Sequence, residues 1–576
     1  MSSILRRLRP FVPAIALCIA LIFGQTMADL YLPTLMADVV NRGIAKNSID
    51  AIIRFGVIML AVACASMVAS VAAGFLSSRV ALGFGSALRS EVFRRVESFS
   101  LREIDRFGIS TLITRNTNDV TQVQMLVIMG MRMMIGAPLM CIGGIIMAVS
   151  INARLSLVLV AALPVLVAAI SLIAGRGSKL FRSLQEKVDV LNRIMRESLS
   201  GVRVIRAFNR IGTDKARFDG ANRDLTETAL KAQRTMTSLM PIMMVVMNFT
   251  TIAIVWFGGH AIEARAMGVG DLMAFLQYAM MILFSFMMVS MMFVFLPRAA
   301  VSAARIAEVL ETRPGISDPA SPKEPSSGLH GVLEFRNVGF RYPGAEERAL
   351  SGVSFMALPG EVTAVIGGTG SGKSTLVNLV PRFYDAEEGA VLVDGVDVRE
   401  MSQASLRSRI GYVPQKAVLF SDSVAGNIGY GSGGAGPEEV QRAGRIAQAA
   451  DFVEAMAGSW DAAVSQGGAN LSGGQKQRLS IARALARKPE IYLFDDSFSA
   501  LDFKTEATLR SALKEETEGA TVIIVAQRVS SVKNADRIVV LEDGAVAGIG
   551  THRELLETCP VYREIALSQL SEEEIA

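Results

Sequence analysis

The stretch GGTGSGKST, Gly367 to Thr375, decides the reading of the second half of this chain. The run EVTAVI before it, Glu361 to Ile366, reads as a short buried strand, and Thr375 to Phe383 opens a helix, which is the context a phosphate-binding loop needs. Gly367, Gly370 and Gly372 let the backbone curl until successive N–H groups point at phosphate oxygens, and the helix adds the positive end of its dipole. Gly367, Gly368, Thr369, Gly370, Ser371, Gly372 and Thr375 are therefore candidate nucleotide-phosphate contacts, with Lys373 reaching the outer phosphates and Ser374 ligating Mg²⁺. A chance match to this pattern has odds of roughly one in fifty. A plain glycine-rich turn is the weaker reading.

Composition bounds the rest. A chain of 576 residues exceeds one ordinary core, and 51% apolar with 19% charged residues is too greasy for a wholly soluble protein. The long apolar runs lie before Pro297, whereas the part after His330 alternates short apolar strands, polar loops and amphipathic helices. A net charge of +4, dispersed along the chain, argues against a nucleic-acid partner. Arg6, Arg7 and Arg9 precede the first apolar run and read as a cytoplasmic anchor; no small-residue cleavage site follows to make it a signal peptide. Cys18, Cys64, Cys141 and Cys559 suggest neither a disulfide framework nor a zinc site.

Six apolar segments reach the roughly 20 residues that a bilayer crossing requires. They lie at about 11–35, 52–78, 124–150, 154–175, 239–260 and 270–296. The links after the second and fourth are long, polar and helix-forming, and carry Arg89, Arg94 and Arg95 in one and Arg176, Lys179, Arg182 and Lys187 in the other. These place both links on the cytoplasmic side of a multi-pass plasma membrane protein, with intracellular tips near Asp105 to Arg115 and Leu199 to Phe208.

Gln25 and Asp29 share a face of the first span and Arg132 lies in the third. Ionisable groups in lipid are costly, so all three are candidates for a translocation pathway or for pairing across helices; for Asp29 a structural cap near the interface is an equal reading. Methionines cluster in spans five and six, at Met236, Met240, Met243, Met244 and Met247, then Met273, Met280, Met287, Met288, Met291 and Met292. A ligand-adaptable wall is one reading; helix packing and lipid contact are the commoner use. From Glu311 to Gly328 the chain turns Pro- and Ser-rich, a linker. The expected organisation is thus 1–311 transmembrane, 312–330 linker and 331–576 nucleotide-binding.

Further signals follow in order. Tyr342 stands 25 residues before Gly367, where an aromatic ring stacks on adenine or serves the core. Gln415 in GYVPQ follows a strand, where its amide can reach Mg²⁺ and sense the γ-phosphate. LSGGQ, namely Leu471, Ser472, Gly473, Gly474 and Gln475, opens a helix and is a second anion cradle. Two distant cradles on one chain suggest that each nucleotide is sandwiched between two chains, so this one binds ATP in trans. IYLFDD, Ile491 to Asp496, is a buried strand ending in carboxylates, with Asp495 holding Mg²⁺ through water, and SALD, Ser499 to Asp502, follows.

Together these motifs, with GTHRELL at Gly550 to Leu556, resemble the nucleotide-binding domain of ABC transporters, and the whole chain resembles an exporter-type half-transporter. The resemblance implies a fold of six transmembrane helices with long cytoplasmic extensions fused to an α/β P-loop ATPase. It also implies dimeric assembly with Asp502 at the contact, ATP and Mg²⁺ as cofactors, and coupling of the two tips to the ATPase. The family normally carries Glu after the Walker B aspartate and His about 31 residues on; here stand Asp496 and Gln527, and none of His260, His330 and His552 can substitute locally. SQGG, Ser465 to Gly468, stands where an acidic residue is frequent. These departures make the chain similar to the degenerate-site subunit of a bacterial heterodimeric multidrug exporter, moving small amphipathic substrates beside a second half-transporter. The alternatives are a homodimeric exporter, an importer or lipid flippase on the same fold, and an ATP-gated regulatory membrane protein without turnover.

Overall fold

The computed structural model describes residue 4, residues 6–325, residue 328 and residues 330–570, with the backbone alone for residues 290–295. Residues 326, 327 and 329 of the expected linker, residues 571–576 of the expected nucleotide-binding part, and the side chains of Met291 and Met292 lie outside that description. The chain forms two compact units, one of Met1–Glu97 with Ser110–Thr312, the other of Ser98–Ile109 with Arg313–Ala576.

The first unit is helical. Its spans are carried by α1 (Val12–Asp38), α2 (Ile49–Glu97), α4 (Val120–Ile151), α5 (Leu157–Ser200), α8 (Leu239–Glu263) and α9 (Val269–Glu311), with α7 (Ile211–Thr237) leading into α8. Six helical stretches are long and apolar enough to cross a membrane, as expected. At 1.5 Å per residue the 49-residue α2 runs about 73 Å, more than twice the hydrocarbon thickness, so its polar end continues beyond the bilayer. The second tip is the short α6 (Val202–Ala207), where expected. The first comes earlier than expected, at α3 (Leu101–Phe107), because Ser100 and Glu103 form a capping box and Gly108 ends the helix. Arg115 already lies in a π-helical segment, Arg115–Asp119, of the returning helix.

Tyr278 fixes α9 to α1, its hydroxyl donating to the Leu30 carbonyl at 2.6 Å and bonding Thr34 Oγ1 at 2.7 Å. Asp29 accepts from Ser66 Oγ at 2.5 Å, an intramembrane polar pair between α1 and α2. Gln25 is half-buried, and Arg132 is exposed with its guanidinium against Gly74 of α2.

The second unit holds two sheets. One has the order β2-β1-β4-β5, from β1 (Leu333–Phe340), β2 (Leu350–Ala357), β4 (Glu388–Val393) and β5 (Val396–Asp397), and is antiparallel. The other has the order β10-β9-β3-β8-β7-β6, from β3 (Val362–Gly367), β6 (Ile410–Val413), β7 (Ile491–Asp495), β8 (Thr521–Val525), β9 (Arg537–Glu542) and β10 (Ala545–Gly550). Its inner strands pair in parallel, β3 with β8 and β9, β7 with β6 and β8. Every residue of β7 and β8 is buried, the pattern of a parallel sheet covered on both faces. α3 packs within this unit: Tyr384 donates to Asp105 Oδ2 at 2.8 Å, and Leu101 lies against the core under the antiparallel sheet.

That sheet depends on Gly389, which sits at φ +69° in β4, where a Cβ would collide with the carbonyl oxygens of Arg336 and Asn337. Gly389→Ala is expected to destabilise the second unit by about 3 kcal/mol. That lowers its thermal midpoint by roughly 6–12 °C in the detergent-solubilised full chain. A midpoint within about 1 °C of wild type contradicts this account.

Candidate functional site

β3, β7 and β8 lie side by side and end at one edge of the sheet, so the loops after them converge. After β3, Gly368, Thr369 and Gly370 are exposed while Ser371, Gly372, Lys373 and Thr375 are buried. Gly372 caps α10 (Lys373–Leu379) at φ +93°, and a Cβ there would stand 2.5 Å from the Ala349 carbonyl, so no other residue fits the turn. Lys373 folds back over the loop, its ammonium donating to Gly367 O at 2.9 Å, Gly368 O at 2.6 Å and Ser371 Oγ at 3.3 Å. Burial holds this ammonium below its usual pKa, against the raising influence of Asp496 and Asp495.

Ser374, on the first turn of α10, donates to Asp495 Oδ1 at 3.0 Å. Burial pushes the Asp495 carboxyl above the usual range; the Ser374 bond and Lys373 pull it down, and Asp496 adds to the rise. Asp496 sits just past β7 at φ +46° and is 9% exposed. One of its oxygens, Oδ2, accepts from both flanking loops: Gln415 Nε2 at 3.2 Å and Gln527 Nε2 at 2.9 Å. Its carbonyl accepts from Ser499 Oγ at 2.9 Å. Two residues far apart from it in sequence and from each other thus meet on one carboxylate oxygen.

Tyr342 is brought to the same place, its hydroxyl 3.0 Å from Thr375 Oγ1 and its ring edge-on to Phe340 and Tyr384. The second cradle is separate. Ser472 caps α11 (Gly473–Ala486), accepting from Gln475 N at 3.3 Å, while Gln475 Oε1 accepts from Ser472 N at 2.8 Å. Leu471 is buried and Ser472 and Gly473 are exposed. Gly474 packs on the SALD segment, where a Cβ would stand 3.0 Å from Ala500 O. Asp502 caps α12 (Phe503–Glu516) through bonds from Thr505 N at 2.9 Å and Thr505 Oγ1 at 2.8 Å, and these hold its exposed carboxyl below the usual range. In the SQGG turn, Gly467 O accepts from Lys476 Nζ at 3.0 Å.

Sequence reasoning missed two residues of this region. Buried Gln477 donates to Pro414 O at 3.2 Å, tying α11 to the Gln415 loop. Gln569, at the end of α13 (Pro560–Gln569), bonds the backbone on both sides of Arg528, donating to Gln527 O at 2.9 Å and accepting from Val529 N at 2.8 Å. Gln477 lies within the helix read after LSGGQ, and neither it nor Gln569 carries a local signal in the sequence.

Residues 15–287 match the ABC transporter transmembrane region, and residues 350–499 match the ABC transporter family. An ABC transporter ATP-binding protein of Mycobacterium tuberculosis H37Rv is 44% identical over 567 residues, spanning 98% of this chain and 97% of that protein. YfiB of Bacillus subtilis, of the same description, is 37% identical and spans 100% and 99%. An ATP-dependent lipid A-core flippase of Pseudomonas aeruginosa is 33% identical and spans 87% and 82%. The structure of a bacterial Atm1-family ABC exporter with ATP bound aligns with a TM-score of 0.79 at 26% identity, covering 98% of this chain and 99% of that one. The chain belongs to the ABC transporter family, as a multi-pass plasma membrane protein whose fused cytoplasmic ATP-binding domain couples ATP hydrolysis to transport.

Proposed function

We propose that this chain is one half of an ATP-driven exporter of amphipathic or lipophilic compounds, paired with a second half-transporter, whose own Walker site binds MgATP and hydrolyses it poorly. The observation that carries this reading is the Asp496 carboxylate, held on a single oxygen by the Gln415 and Gln527 amides. The side chain is one methylene shorter than the family's glutamate, which withdraws the carboxylate by about 1 Å, a misplacement of the size that costs 10²-fold. Gln527 bonds a phosphate oxygen but takes up no proton. General-base placement is worth about 10² to 10⁴ in rate, so both departures act on the hydrolytic step and leave the binding loop intact.

Within this reading the loop from Gly367 to Thr375 wraps the phosphates, Lys373 neutralises them and Tyr342 stacks on adenine. The oxygen donors of Ser374 and Gln415, with Asp495 through water, suit a hard cation; the Gln415 amide donates to Asp496 from its nitrogen, which leaves its oxygen for the metal. Mg²⁺ there would offset the charge of the phosphates. Leu471, Ser472, Gly473, Gly474 and Gln475 complete the competent site on the partner's Walker motifs, and Asp502 lies at the contact. The exposed second tip supports a second chain: Leu199 is 71%, Val204 60% and Phe208 74% exposed, an apolar set that needs cover. A lipid cargo is the second reading, favoured by the likeness to the Pseudomonas flippase.

In the assembled transporter, Asp496→Asn is expected to keep more than half of the ATPase activity. Ser472→Ala and Gly474→Asp are expected to cut it at least about a hundredfold, the scale of losing a donor to a developing anion. Collapse of turnover in Asp496→Asn, or near-normal turnover in Gly474→Asp, overturns the assignment of sites. Nucleotide that persists between Lys373 and the partner's cradle keeps the two nucleotide-binding domains partly in contact. Asp496→Glu with Gln527→His is therefore expected to widen their separation by spin-label distance under turnover, and to shorten nucleotide retention after gel filtration. Equal distances and equal retention in the two forms would remove any mechanical role for Asp496 and Gln527.

A further inference from the structure

The loop that carries Gln527 leaves the sheet after β8, and its last strand-like bond is Ala526 N to Val365 O at 3.1 Å. Beyond it, side chains from two helices hold the loop, some through its main chain and some through its side chains. From α12, Arg510 donates to Ser530 O at 3.3 Å, buried Glu506 accepts from Ser531 Oγ at 2.6 Å, and the Phe503 ring lies 5.5 Å from the Arg528 guanidinium. From α13 comes Gln569, the one of these groups that bonds residue 527 itself. Its amide grips Gln527 O with one end and Val529 N with the other, closing a ring across Arg528. α13 is a firm base for this grip, with Tyr562 and Ala566 fully buried and the Tyr562 hydroxyl 2.7 Å from His552 Nδ1.

We propose that Gln569 is a positioning residue for nucleotide binding, through which the C-terminal helix holds the main chain of Gln527 so that its amide stays on Asp496 and faces the γ-phosphate. The inference rests on the reading that Gln527 meets the γ-phosphate. It is physically specific because the bonds fall on backbone atoms: Gln569 fixes where residue 527 stands whatever its side chain is. Ordering the six residues from Ala526 to Ser531 opposes backbone entropy of about 1–2 kcal/mol each, so a loop with few sheet bonds depends on such side-chain ties. Releasing Gln569 frees the Gln527 amide to turn away while Lys373, Ser374 and Tyr342, on other elements, keep their places. Contacts to the γ-phosphate are then weakened, and those to adenine and the inner phosphates are not.

The test uses the full chain purified alone in lipid nanodiscs, where every Walker site is its own, with ATP and ADP as separate probes. Gln569→Ala is expected to raise Kd for ATP about fivefold to tenfold, the scale of one ordinary hydrogen bond, and to leave Kd for ADP within about twofold. Hydrogen exchange at the Val529 amide is expected to accelerate in the same variant. Gln527→Ala is expected to show the same ATP-selective loss, and the double variant no further loss, because the first residue acts through the second. A general disturbance of the fold would instead weaken ATP and ADP alike. Equal weakening of both, an unchanged ATP-to-ADP ratio, or additive effects in the double variant overturns the proposal. Gln569→Glu, which keeps the acceptor for Val529 N and loses the donor to Gln527 O, supplies a shift of the same ratio should the alanine variant not fold. Fast hydrolysis by the wild-type chain alone would remove the degenerate-site reading and leave this binding test untouched.

Discussion

Three buried charges at one edge of a parallel sheet set the terms for the ATP-binding unit. Lys373, Asp495 and Asp496 are 8%, 3% and 9% exposed, and an unpaired charge at such depth costs several kcal/mol. Each is met by partners that only this fold delivers together. The phosphate loop turns its own carbonyls of Gly367 and Gly368 onto the ammonium, α10 brings Ser374 to Asp495, and the Gln415 and Gln527 loops bring amides to Asp496. The order β3-β8-β7-β6 is what lets four sequence-distant loops share those few ångströms.

How much of this was legible in the sequence follows from range. GGTGSGKST, LSGGQ and SALD are local: spacing along the chain fixes spacing in space, and the turn, the Ser472 capping box and the Asp502 cap lie where a short pattern puts them. Six membrane helices were legible because lipid demands long apolar runs. The ties between elements were not. Ser66 beneath Asp29, Asp105 against Tyr384, and Gln569 on the Gln527 loop involve common polar residues whose partners lie 37, 279 and 42 positions away, and nothing in their own neighbourhoods marks them. The early start of the first tip was legible in principle, since Ser100 and Glu103 have capping-box spacing, but the helical periodicity running through that link outweighed it.

The two cradles are separate in sequence yet mechanically close. Asp496 O accepts from Ser499 Oγ, and Ala500, next along, presents its carbonyl to Gly474 of the second cradle. Gln477 then returns from α11 to Pro414, beside the Gln415 whose amide reaches Asp496. A closed circuit of side chain and backbone therefore joins the Walker carboxylate, the SALD segment, α11 and the Gln415 loop. A shift of any one of these by an ångström is felt at the others, because each tie is a direct hydrogen bond or close contact.

That circuit bears on why an aspartate and a glutamine stand where the family places a glutamate and a histidine. An imidazole at position 527 would titrate near neutrality and place a fluctuating charge within reach of Lys373 and the acidic pair. The Gln527 amide has no such second state, and its Nε2 donates to Asp496 Oδ2 at 2.9 Å. With the Gln415 amide on the same oxygen, Asp496 is oriented by two permanent dipoles. The geometry therefore favours a fixed arrangement at this carboxylate over a proton-exchanging one.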